Sequence, residues 1–397
     1  MGSFGVYVHI PYCLQICTYC DFVKFEKKDL PPTDRYVSLL EHEIASRGPR
    51  VQQTIPSPIM HSLYFGGGTP SLLSPSEILS VIHALEKQGF QRASGAEVTL
   101  EVNPGTLTEA SLDKFLEMGI TRFSVGAQTF DERFLSVTGR KHSVADTVAT
   151  LELLRDRGAH FSFDLLFGLP GQHLADVGSD VRRALEYGPK HLSAYCLTLP
   201  EKHRLNKGRA PDDEQAQMFD LICDDLAAGG LVRYEVSNFA VPGFESRHNL
   251  LYWSDAPYWG IGIGAHSYLP TAPWGVRFWN PPTVRSWELE MARTAGTAFW
   301  QEFEPSRVEP LQLHQAITDF THTALRSTRG LIDTEVQRKF SAAFPDLLHE
   351  IERRALPLVR DGLLLRAEKP GRWLLSRAGH ALADRVFEPL TFLKDEV

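Results

Sequence analysis

Near its start the chain reads Tyr7-Val-His-Ile-Pro-Tyr-Cys-Leu-Gln-Ile-Cys-Thr-Tyr-Cys-Asp21, a short apolar strand pattern that runs directly into three cysteines. Cys13, Cys17 and Cys20 are spaced C-x3-C-x2-C. Three thiolates can hold three irons of a four-iron, four-sulfur cluster and leave the fourth iron open, which indicates chemistry at that iron. Zinc instead needs a fourth ligand to close a tetrahedron, and His9 is the nearest candidate. A zinc site and plain buried thiols are therefore the alternatives to an iron–sulfur cluster.

The composition is typical of an intracellular enzyme. The chain has 397 residues, of which 43% are hydrophobic, so we expect one large domain and a smaller one. Five cysteines, three of them in one loop, do not predict a disulfide framework, and the isolated Cys196 and Cys223 are predicted to be buried thiols. Neither a signal peptide nor an apolar run of the ~20 residues that span a membrane is evident. We therefore expect a cytoplasmic protein.

The net charge argues against nucleic acid as a partner. Lys and Arg number 41 against 49 Asp and Glu, which gives a net charge of −8. A protein that binds a polyanion through its phosphates usually carries a surplus of positive charge. We therefore expect no nucleic-acid partner for the chain as a whole.

Strand patterns and amphipathic helix patterns alternate over the first half of the chain. Apolar strand patterns are predicted at 5–10, 62–65, 97–102, 121–125, 160–167 and 190–197. Helix patterns lie between them at 34–46, 75–88, 108–118, 144–157 and 174–187. This repeated βα order predicts an α/β fold with a parallel sheet, either open or a partial barrel, whose ligand lies at the carboxyl ends of the strands. The cysteine loop follows the first strand, so it lies at that end.

The pattern changes after Tyr234 to a stretch rich in glycine and aromatic residues, and Pro305 opens a separate helical region. Helices are predicted at 311–326, 334–343 and 347–360, a strand pair at 363–366 and 373–376, and a last helix from Ala378. This order resembles a winged-helix module. The region 305–397 holds 14 Lys and Arg against 13 Asp and Glu, which favours a docking or lid module over a DNA-binding one. We predict two domains, 1–300 and 305–397.

A glycine run stands where the second strand ends. The sequence Leu63-Tyr-Phe-Gly-Gly-Gly-Thr-Pro70 includes Gly67, Gly68 and Thr69. Glycine lets a ligand approach the backbone closely and exposes amide N–H groups to a carboxylate. The same run is also an ordinary strand-to-helix turn, but its position beside an open iron favours a ligand.

Charged and polar residues mark the next three strands. Glu101 ends the third strand, Gln128 follows the fourth and Asp164 lies within the fifth. A charged residue inside an apolar strand needs a partner, and Arg140 is the candidate for Asp164. Asp164 either faces a ligand or belongs to a structural ion pair that lines a barrel.

The cysteine loop resembles the signature of radical S-adenosylmethionine enzymes. The glycine run, Glu101-Val-Asn-Pro-Gly, Arg122-x-Ser-x-Gly-x-Gln128 and Asp164-Leu-x-x-Gly-Leu-Pro170 resemble the oxygen-independent coproporphyrinogen III oxidase branch, over nearly the whole chain. The resemblance implies a partial (β/α)6 barrel, a winged-helix-like C-terminal domain and S-adenosylmethionine bound to the open iron of a [4Fe-4S] cluster. It implies that these residues hold S-adenosylmethionine: Tyr7, Gly67, Gly68, Thr69, Glu101, Gln128, Arg140 and Asp164.

Two departures argue against the oxidase itself. Oxidases carry a further cysteine where this chain has Phe22, and they have an N-terminal extension, whereas only six residues precede Tyr7 here. The chain is more similar to HemW-type haem chaperones, which carry a His-Asn-x-x-Tyr-Trp motif, here His248-Asn-Leu-Leu-Tyr-Trp253 within 234–268. That resemblance implies haem bound through His248 and delivered to haem-requiring apoproteins, respiratory enzymes among them. It leaves open a homodimer and peripheral membrane contact through the acceptor.

The residues of the motif support two interpretations. An imidazole can ligate haem iron, and flanking aromatic rings offer a flat surface to a macrocycle. The aromatic residues are Tyr252, Trp253, Tyr258 and Trp259. The same cluster is also what an ordinary aromatic core edge looks like, and His266 is the alternative ligand.

Haem binding and delivery is the function we prefer from the sequence. The alternative is an enzyme that performs a radical reaction on a porphyrin or a similar substrate, by methyl transfer, decarboxylation or haem ring opening. A purely structural cluster is the third interpretation, and the completeness of the predicted S-adenosylmethionine site argues against it.

Overall fold

The computed structural model describes residues 3–271, 273–292, 299–368 and 371–397. Its strands are β1 (Gly5–Ile10), β2 (Tyr12–Cys13), β3 (Phe25–Glu26), β4 (Met60–Gly67), β5 (Arg92–Val102), β6 (Arg122–Gln128), β7 (Phe161–Phe167), β8 (His191–Cys196), β9 (Val232–Arg233), β10 (Asn238–Ala240), β11 (Tyr258–Ile261), β12 (His266–Leu269), β13 (Val276–Trp279), β14 (Val308–Pro310), β15 (Leu331–Ile332), β16 (Leu364–Ala367) and β17 (Arg372–Leu375). Its helices are α1 (Thr33–Gln52), α2 (Pro75–Lys87), α3 (Glu109–Glu117), α4 (Glu132–Thr138), α5 (Val144–Asp156), α6 (Leu174–Glu186), α7 (Asp212–Ala228), α8 (Arg247–Tyr252), α9 (Val284–Met291), α10 (Leu313–Arg326), α11 (Asp333–Phe340), α12 (Leu347–Arg360), α13 (Arg377–Ala381) and α14 (Ala383–Phe387).

Six parallel strands form the centre of the sheet. They are neighbours in the order β1-β4-β5-β6-β7-β8, as the repeated βα pattern predicts. Side chains from these strands and from the loop after β1 line a single cavity, so the sheet curves around it as a partial barrel. The prediction of an α/β partial barrel is confirmed.

The alternation along β1 shows how the sheet divides its residues between two faces. Val6, Val8 and Ile10 are fully buried on the face covered by helices. Tyr7 and His9 point to the opposite face, inside the barrel, because successive side chains of a strand alternate. The interior face of the parallel strands therefore carries the polar residues.

Capping groups in the sequence fix where the outer helices begin. Ser74 and Glu77 form a reciprocal capping box at the start of α2, and Ser143 and Asp146 do the same for α5. Such caps satisfy backbone N–H groups that have no partner within the helix. The predicted helices are present within a few residues at each end, except that α1 continues to Gln52.

Short strands extend the central sheet at both edges; β11 pairs with β1 in parallel, and the other added strands are antiparallel. Beyond β1 the order continues β11-β12-β13-β14, and beyond β8 it continues β10-β9. These strands have two to four residues each, which is too short for a periodic signal in the sequence. The extension carries the chain from the barrel to α10.

The C-terminal region has its own apolar core. Residues from α10, α11 and α12 pack with a three-stranded sheet in the order β15-β17-β16. Three helices pack with a small antiparallel sheet whose first strand, β15, lies between α10 and α11, and this arrangement confirms the predicted winged-helix-like module. The predicted boundary at 300–305 follows residues 293–298, which lie outside the described residues.

Within the described residues, no helix combines the length and the apolar character needed to cross a bilayer.

Candidate functional site

A cavity of about 350 Å³ occupies the barrel interior, between the loop after β1 and the strands from β4 to β8. All the predicted cluster and S-adenosylmethionine residues except Tyr7 line it: Cys13, Cys17, Cys20, Gly67, Gly68, Thr69, Glu101, Gln128, Arg140 and Asp164. The fold thus brings together residues that are up to about 150 positions apart in the sequence.

The three thiols stand on a loop that hydrogen bonds hold against the turn after α4. The backbone N–H of Thr18 donates to the carbonyl oxygen of Thr138 at 3.1 Å, and the Gln15 amide donates to that of Gly139 at 3.0 Å. The Thr69 hydroxyl lies 3.9 Å from the sulfur of Cys13. The loop is therefore positioned by contacts that are distant in sequence.

Burial raises the pKa of the Cys13 thiol to about 11 and also raises the pKa of Cys17, against the opposing positive charge of Arg140. Without a cation these thiols are held protonated, so a bound metal must displace their protons. Among the residues that the structure describes, no three His, Cys, Asp or Glu side chains converge as ligands of one metal ion. Each thiolate of a cluster would bind a separate iron, whereas a zinc site needs all of its ligands around one ion.

The remaining two cysteines differ from expectation. Cys196 is exposed, not buried, and its sulfur lies 3.3 Å from Oε1 of Gln215. Cys223 is half-buried. The difference for Cys196 arises because it is the last residue of β8, where the strand leaves the core.

The glycine run brings β4 against the cysteine loop. A Cβ on Gly68 would lie 2.7 Å from the carbonyl oxygen of Tyr12, and one on Gly67 would overlap the ring of His9. The N–H of Gly67 donates to Glu101 at 2.9 Å and that of Gly68 donates to the carbonyl of Ile10 at 2.7 Å. The prediction that these amides are free for a ligand carboxylate is therefore wrong. The glycines are required by close packing of the backbone.

Glu101 is a carboxylate held inside the barrel by two donors. Its Oε1 accepts from the Tyr64 hydroxyl at 2.8 Å and its Oε2 accepts from Gly67. Burial raises the pKa of Glu101 to about 7, and the nearby charge of Asp164 acts in the same direction. A cationic ligand in the cavity would favour the ionised form of this carboxyl group.

Gln128 ends β6 in a left-handed backbone conformation, with φ +69°. It is the one non-glycine residue with positive φ among those that the structure describes. A side chain in this region costs about 1–3 kcal/mol and such strain is concentrated at functional sites. The turn aims the Gln128 side chain into the cavity, 3.0 Å from where a Cβ on Gly126 would stand.

Asp164 and Arg140 do not form the ion pair that the sequence suggested. Arg140 donates to Oδ1 of Asn103 at 2.5 Å and to the Tyr19 hydroxyl at 2.9 Å. Asp164 has a hydrogen bond with Ser193, and burial raises its pKa. Arg140 does not pair with Asp164 because the loop after α4 carries Arg140 toward the cysteine loop instead of toward β7.

Tyr7 lies inside the barrel but behind the cavity wall. Its hydroxyl is 3.1 Å from Nδ1 of His9, and its ring packs on Tyr64 with centroids 6.0 Å apart. Nε2 of His9 is 2.6 Å from the carbonyl oxygen of Val23. Both ring nitrogens of His9 are engaged by protein, so ligation of a metal by His9 would require one of these contacts to open.

Several residues that line the cavity were not predicted as site residues, although Arg122, Ser124 and Gly126 belong to the motif that carries the family resemblance. Arg122, Ser124 and Gly126 line it along β6, and His191 and Ser193 line it along β8. Their spacing of two residues was the available signal, since alternate residues of a strand share a face. Nδ1 of buried His191 has no hydrogen-bond partner.

His248 lies in α8, which closes the amino-terminal end of the barrel. Its Nδ1 is 2.8 Å from the Ser62 hydroxyl and its Nε2 is 2.9 Å from the Tyr252 hydroxyl. The ring stacks on Tyr64 with centroids 4.9 Å apart, and only 1% of the residue is exposed. Burial lowers the pKa of His248 to about 3, so the imidazole is neutral. Iron ligation requires one of these two hydrogen bonds to open.

The aromatic residues around the motif do not form one surface. Trp259 is buried against Phe90, with ring centroids 5.3 Å apart, so it cannot present a face to a macrocycle. Tyr252 and Tyr258 line a second, smaller cavity. The alternative ligand His266 is exposed on β12, where it stacks on Trp279 at 5.4 Å.

Comparison with known proteins agrees with this geometry. Residues 7–184 match the model of the radical SAM superfamily, which implies a [4Fe-4S] cluster and S-adenosylmethionine. The donor set fits both groups, because the three thiols and the carboxylates Glu101 and Asp164 line the same cavity. Coproporphyrinogen III oxidase (HemN) from Escherichia coli has a similar structure, with a TM-score of 0.80, 22% identity and coverage of 98% of this chain and 90% of that one.

Several curated relatives are described as "Heme chaperone HemW". The relative from Bacillus subtilis is 31% identical over 89% of this chain and 92% of its own length. The relative from Lactococcus lactis is 33% identical over 99% of this chain and 98% of its own length, and that from Escherichia coli is 37% identical over 66% and 69%. This chain therefore belongs to the HemW family within the radical SAM superfamily.

Proposed function

We propose that this chain binds haem and delivers it to haem-requiring apoproteins. The observation that carries the proposal is α8, which places a neutral imidazole among tyrosine rings in a chain of the HemW family. Neutral imidazole is the form that ligates iron, and aromatic faces suit a macrocycle. Relatives described as heme chaperones support the same conclusion.

The cluster site in this proposal is formed by Cys13, Cys17 and Cys20. The three thiols are half-buried on one wall of the cavity, and the buried cation Arg140 lies close enough to Cys17 to favour its thiolate. When bound, the cluster with S-adenosylmethionine supplies one-electron chemistry. The loop itself fixes the positions of the three thiols and shields them partly from water.

The opposite wall is proposed to bind S-adenosylmethionine through its charges. Glu101 and Asp164 are buried carboxyl groups whose pKa values are raised by burial, so each gains from a neighbouring cation. Gln128 and Thr69 offer neutral hydrogen-bonding groups at the same strand ends. Gly67, Gly68 and Tyr7 shape the wall from behind, since their contacts are to protein.

A second candidate function is a radical reaction on a porphyrin-like substrate. The intact cavity favours it, because a binding protein alone has no need of a strained Gln128 beside a thiol cluster. Anaerobic incubation of the reduced, reconstituted protein with coproporphyrinogen III and S-adenosylmethionine tests it. Protoporphyrinogen formed with deoxyadenosine release would favour this candidate, and unchanged substrate would exclude this reaction.

The test of haem binding is a titration followed by the Soret band. We expect the purified chain to bind haem with a shifted Soret maximum, and His248→Ala to reduce both the shift and the affinity. His173→Ala is the matched control, because this histidine is exposed and remote from α8. Incubation of the loaded protein with apomyoglobin then measures transfer to an acceptor.

Two results would contradict parts of the proposal. A wild-type chain that takes up no haem would exclude the function. If His248→Ala gives the same spectra as the wild-type chain, a different residue ligates the haem iron. His266→Ala is then the next variant to measure.

A further inference from the structure

The two nitrogens of His248 face different parts of the molecule. Nδ1 faces Ser62 on the barrel wall, whereas Nε2 faces the hydroxyl of Tyr252. The barrel cavity is lined by Ser246, which caps α8, and by Asn249 of α8, but not by His248. The side chain of Tyr252 lines a second cavity of about 110 Å³, so a single side chain separates Nε2 from that space.

The second cavity lies between the barrel and the C-terminal region. The barrel side contributes Tyr252, Ser254, Asp255, Tyr258, Tyr268 and Arg277, and the C-terminal side contributes Leu311, Ala316, Asp319, Phe320, Thr323 and Lys339. Apolar and aromatic walls with a few polar groups are typical of ligand sites, but those sites have volumes of ~300–1,000 Å³. The volume of this cleft is below that range, so a ligand as large as haem would enter it only if the two regions part.

Two ion pairs cross this cleft, and one of them, Arg277–Asp319, joins β13 to α10 at 3.1 Å. Nζ of Lys339 in α11 lies 2.5 Å from Oδ1 of Asp255, which also accepts from the hydroxyl of Tyr268. Asp255 follows shortly after α8, and the guanidinium of Arg326 covers the ring of Trp253 at 5.6 Å. The C-terminal region therefore contacts the residues that follow α8, the helix that carries His248. We name the Lys339–Asp255 pair the latch.

We propose that haem reaches Nε2 of His248 from this cleft, and that the latch controls its entry. The inference rests on the proposed function, because it assigns a route and a control to the same haem. With the latch open, the hydroxyl of Tyr252 can turn away from Nε2, and an iron–nitrogen bond replaces that hydrogen bond. Tyr258 and Phe320 then offer ring faces on the two sides of the cleft.

The first experiment measures the rate of haem association by stopped-flow absorbance. Lys339→Met keeps the length of the side chain but removes its charge, so we expect association roughly fivefold faster than in the wild-type chain, the change that a partly buried ion pair of ordinary strength would give. Arg353→Met is the matched control, because the ion pair of Arg353 with Glu350 lies within α12 and does not join the two regions. Its association rate should match that of the wild type.

A second variant and a competition arm complete the test. Asp255→Asn removes the other half of the latch and should accelerate association as Lys339→Met does. Preloading the reconstituted protein with S-adenosylmethionine fills the barrel cavity and should leave the rate unchanged. Wild-type rates in both latch variants, or slower association after preloading, would overturn the inference. A wild-type chain that binds no haem at all would instead exclude the proposed function.

Discussion

Nε2 of His9 lies 2.6 Å from the carbonyl oxygen of Val23, just past the last cysteine of the loop. Nδ1 of the same ring meets the hydroxyl of Tyr7, and burial lowers the pKa of His9 to about 4. The neutral ring therefore donates to the carbonyl through Nε2 and accepts from the tyrosine through Nδ1. A strand residue thus fixes the far end of the cysteine loop.

We expect His9→Ala to make the cluster labile without unfolding the barrel. The change leaves a buried acceptor unsatisfied, which costs about 1–3 kcal/mol, so loss of iron to a chelator should be roughly fivefold faster or more. Iron release followed by absorbance measures this, with the exposed His83→Ala as control. Equal rates in the two variants would show that His9 does not support the loop.

Replacement of Cys17 tests the cluster ligands directly. Each thiolate holds one iron, so Cys17→Ala should retain little iron and lose the broad visible absorption after anaerobic reconstitution. Cys223→Ala is the control, because this thiol lies outside the cavity. Full iron content in Cys17→Ala would be inconsistent with the assignment.

Asp164→Ala should weaken binding of S-adenosylmethionine while the cluster still assembles. A charge-assisted hydrogen bond contributes about 1.5–3 kcal/mol, which corresponds to a loss of roughly 10- to 100-fold in affinity. Calorimetry on the reconstituted protein gives the affinity, and Asp156→Ala on the exposed end of α5 is the control. Unchanged affinity in a folded Asp164→Ala protein would assign this carboxylate to the barrel alone.

The raised pKa of Glu101 predicts how stability changes with pH. Burial moves this pKa from 4.5 to about 7, so between these values the unfolded chain loses a proton that the folded chain keeps. The contribution of Glu101 to the free energy of unfolding is therefore complete below pH 4.5 and is lost as the pH rises to about 7. This loss is at most about 3 kcal/mol. Melting temperatures of the ligand-free protein should fall less between pH 5 and pH 8 in Glu101→Gln than in the wild type. An identical change of melting temperature with pH in Glu101→Gln and the wild type would refute this prediction. The exposed Glu117→Gln is the control.

The sequence was sufficient to predict the parallel strands of the barrel and ten of the residues that line its cavity. The βα periodicity places the end of each parallel strand at one edge, so Glu101, Gln128 and Asp164 were predicted to meet without knowledge of any contact. The cysteine spacing indicated the loop in the same way. Both signals lie within short stretches of sequence, so they can be recognised without knowledge of the tertiary structure.

Contacts between distant segments could not be predicted. Arg140 meets Tyr19, which is 121 residues away, because a short helix redirects the chain, and no periodic pattern records that turn. The environment of His248 depends likewise on Ser62, 186 residues away. Pairing of this kind is set by the packing of whole elements, which a residue-by-residue pattern does not contain.

The three residues of β14 pair with β13 and lead directly into α10. This strand keeps the C-terminal region tethered to the sheet when the latch is open. Lys339 therefore remains at an effective concentration on the order of millimolar or higher around Asp255, whatever the concentration of the protein. The latch therefore closes in a first-order step, and dilution of the protein does not slow that step.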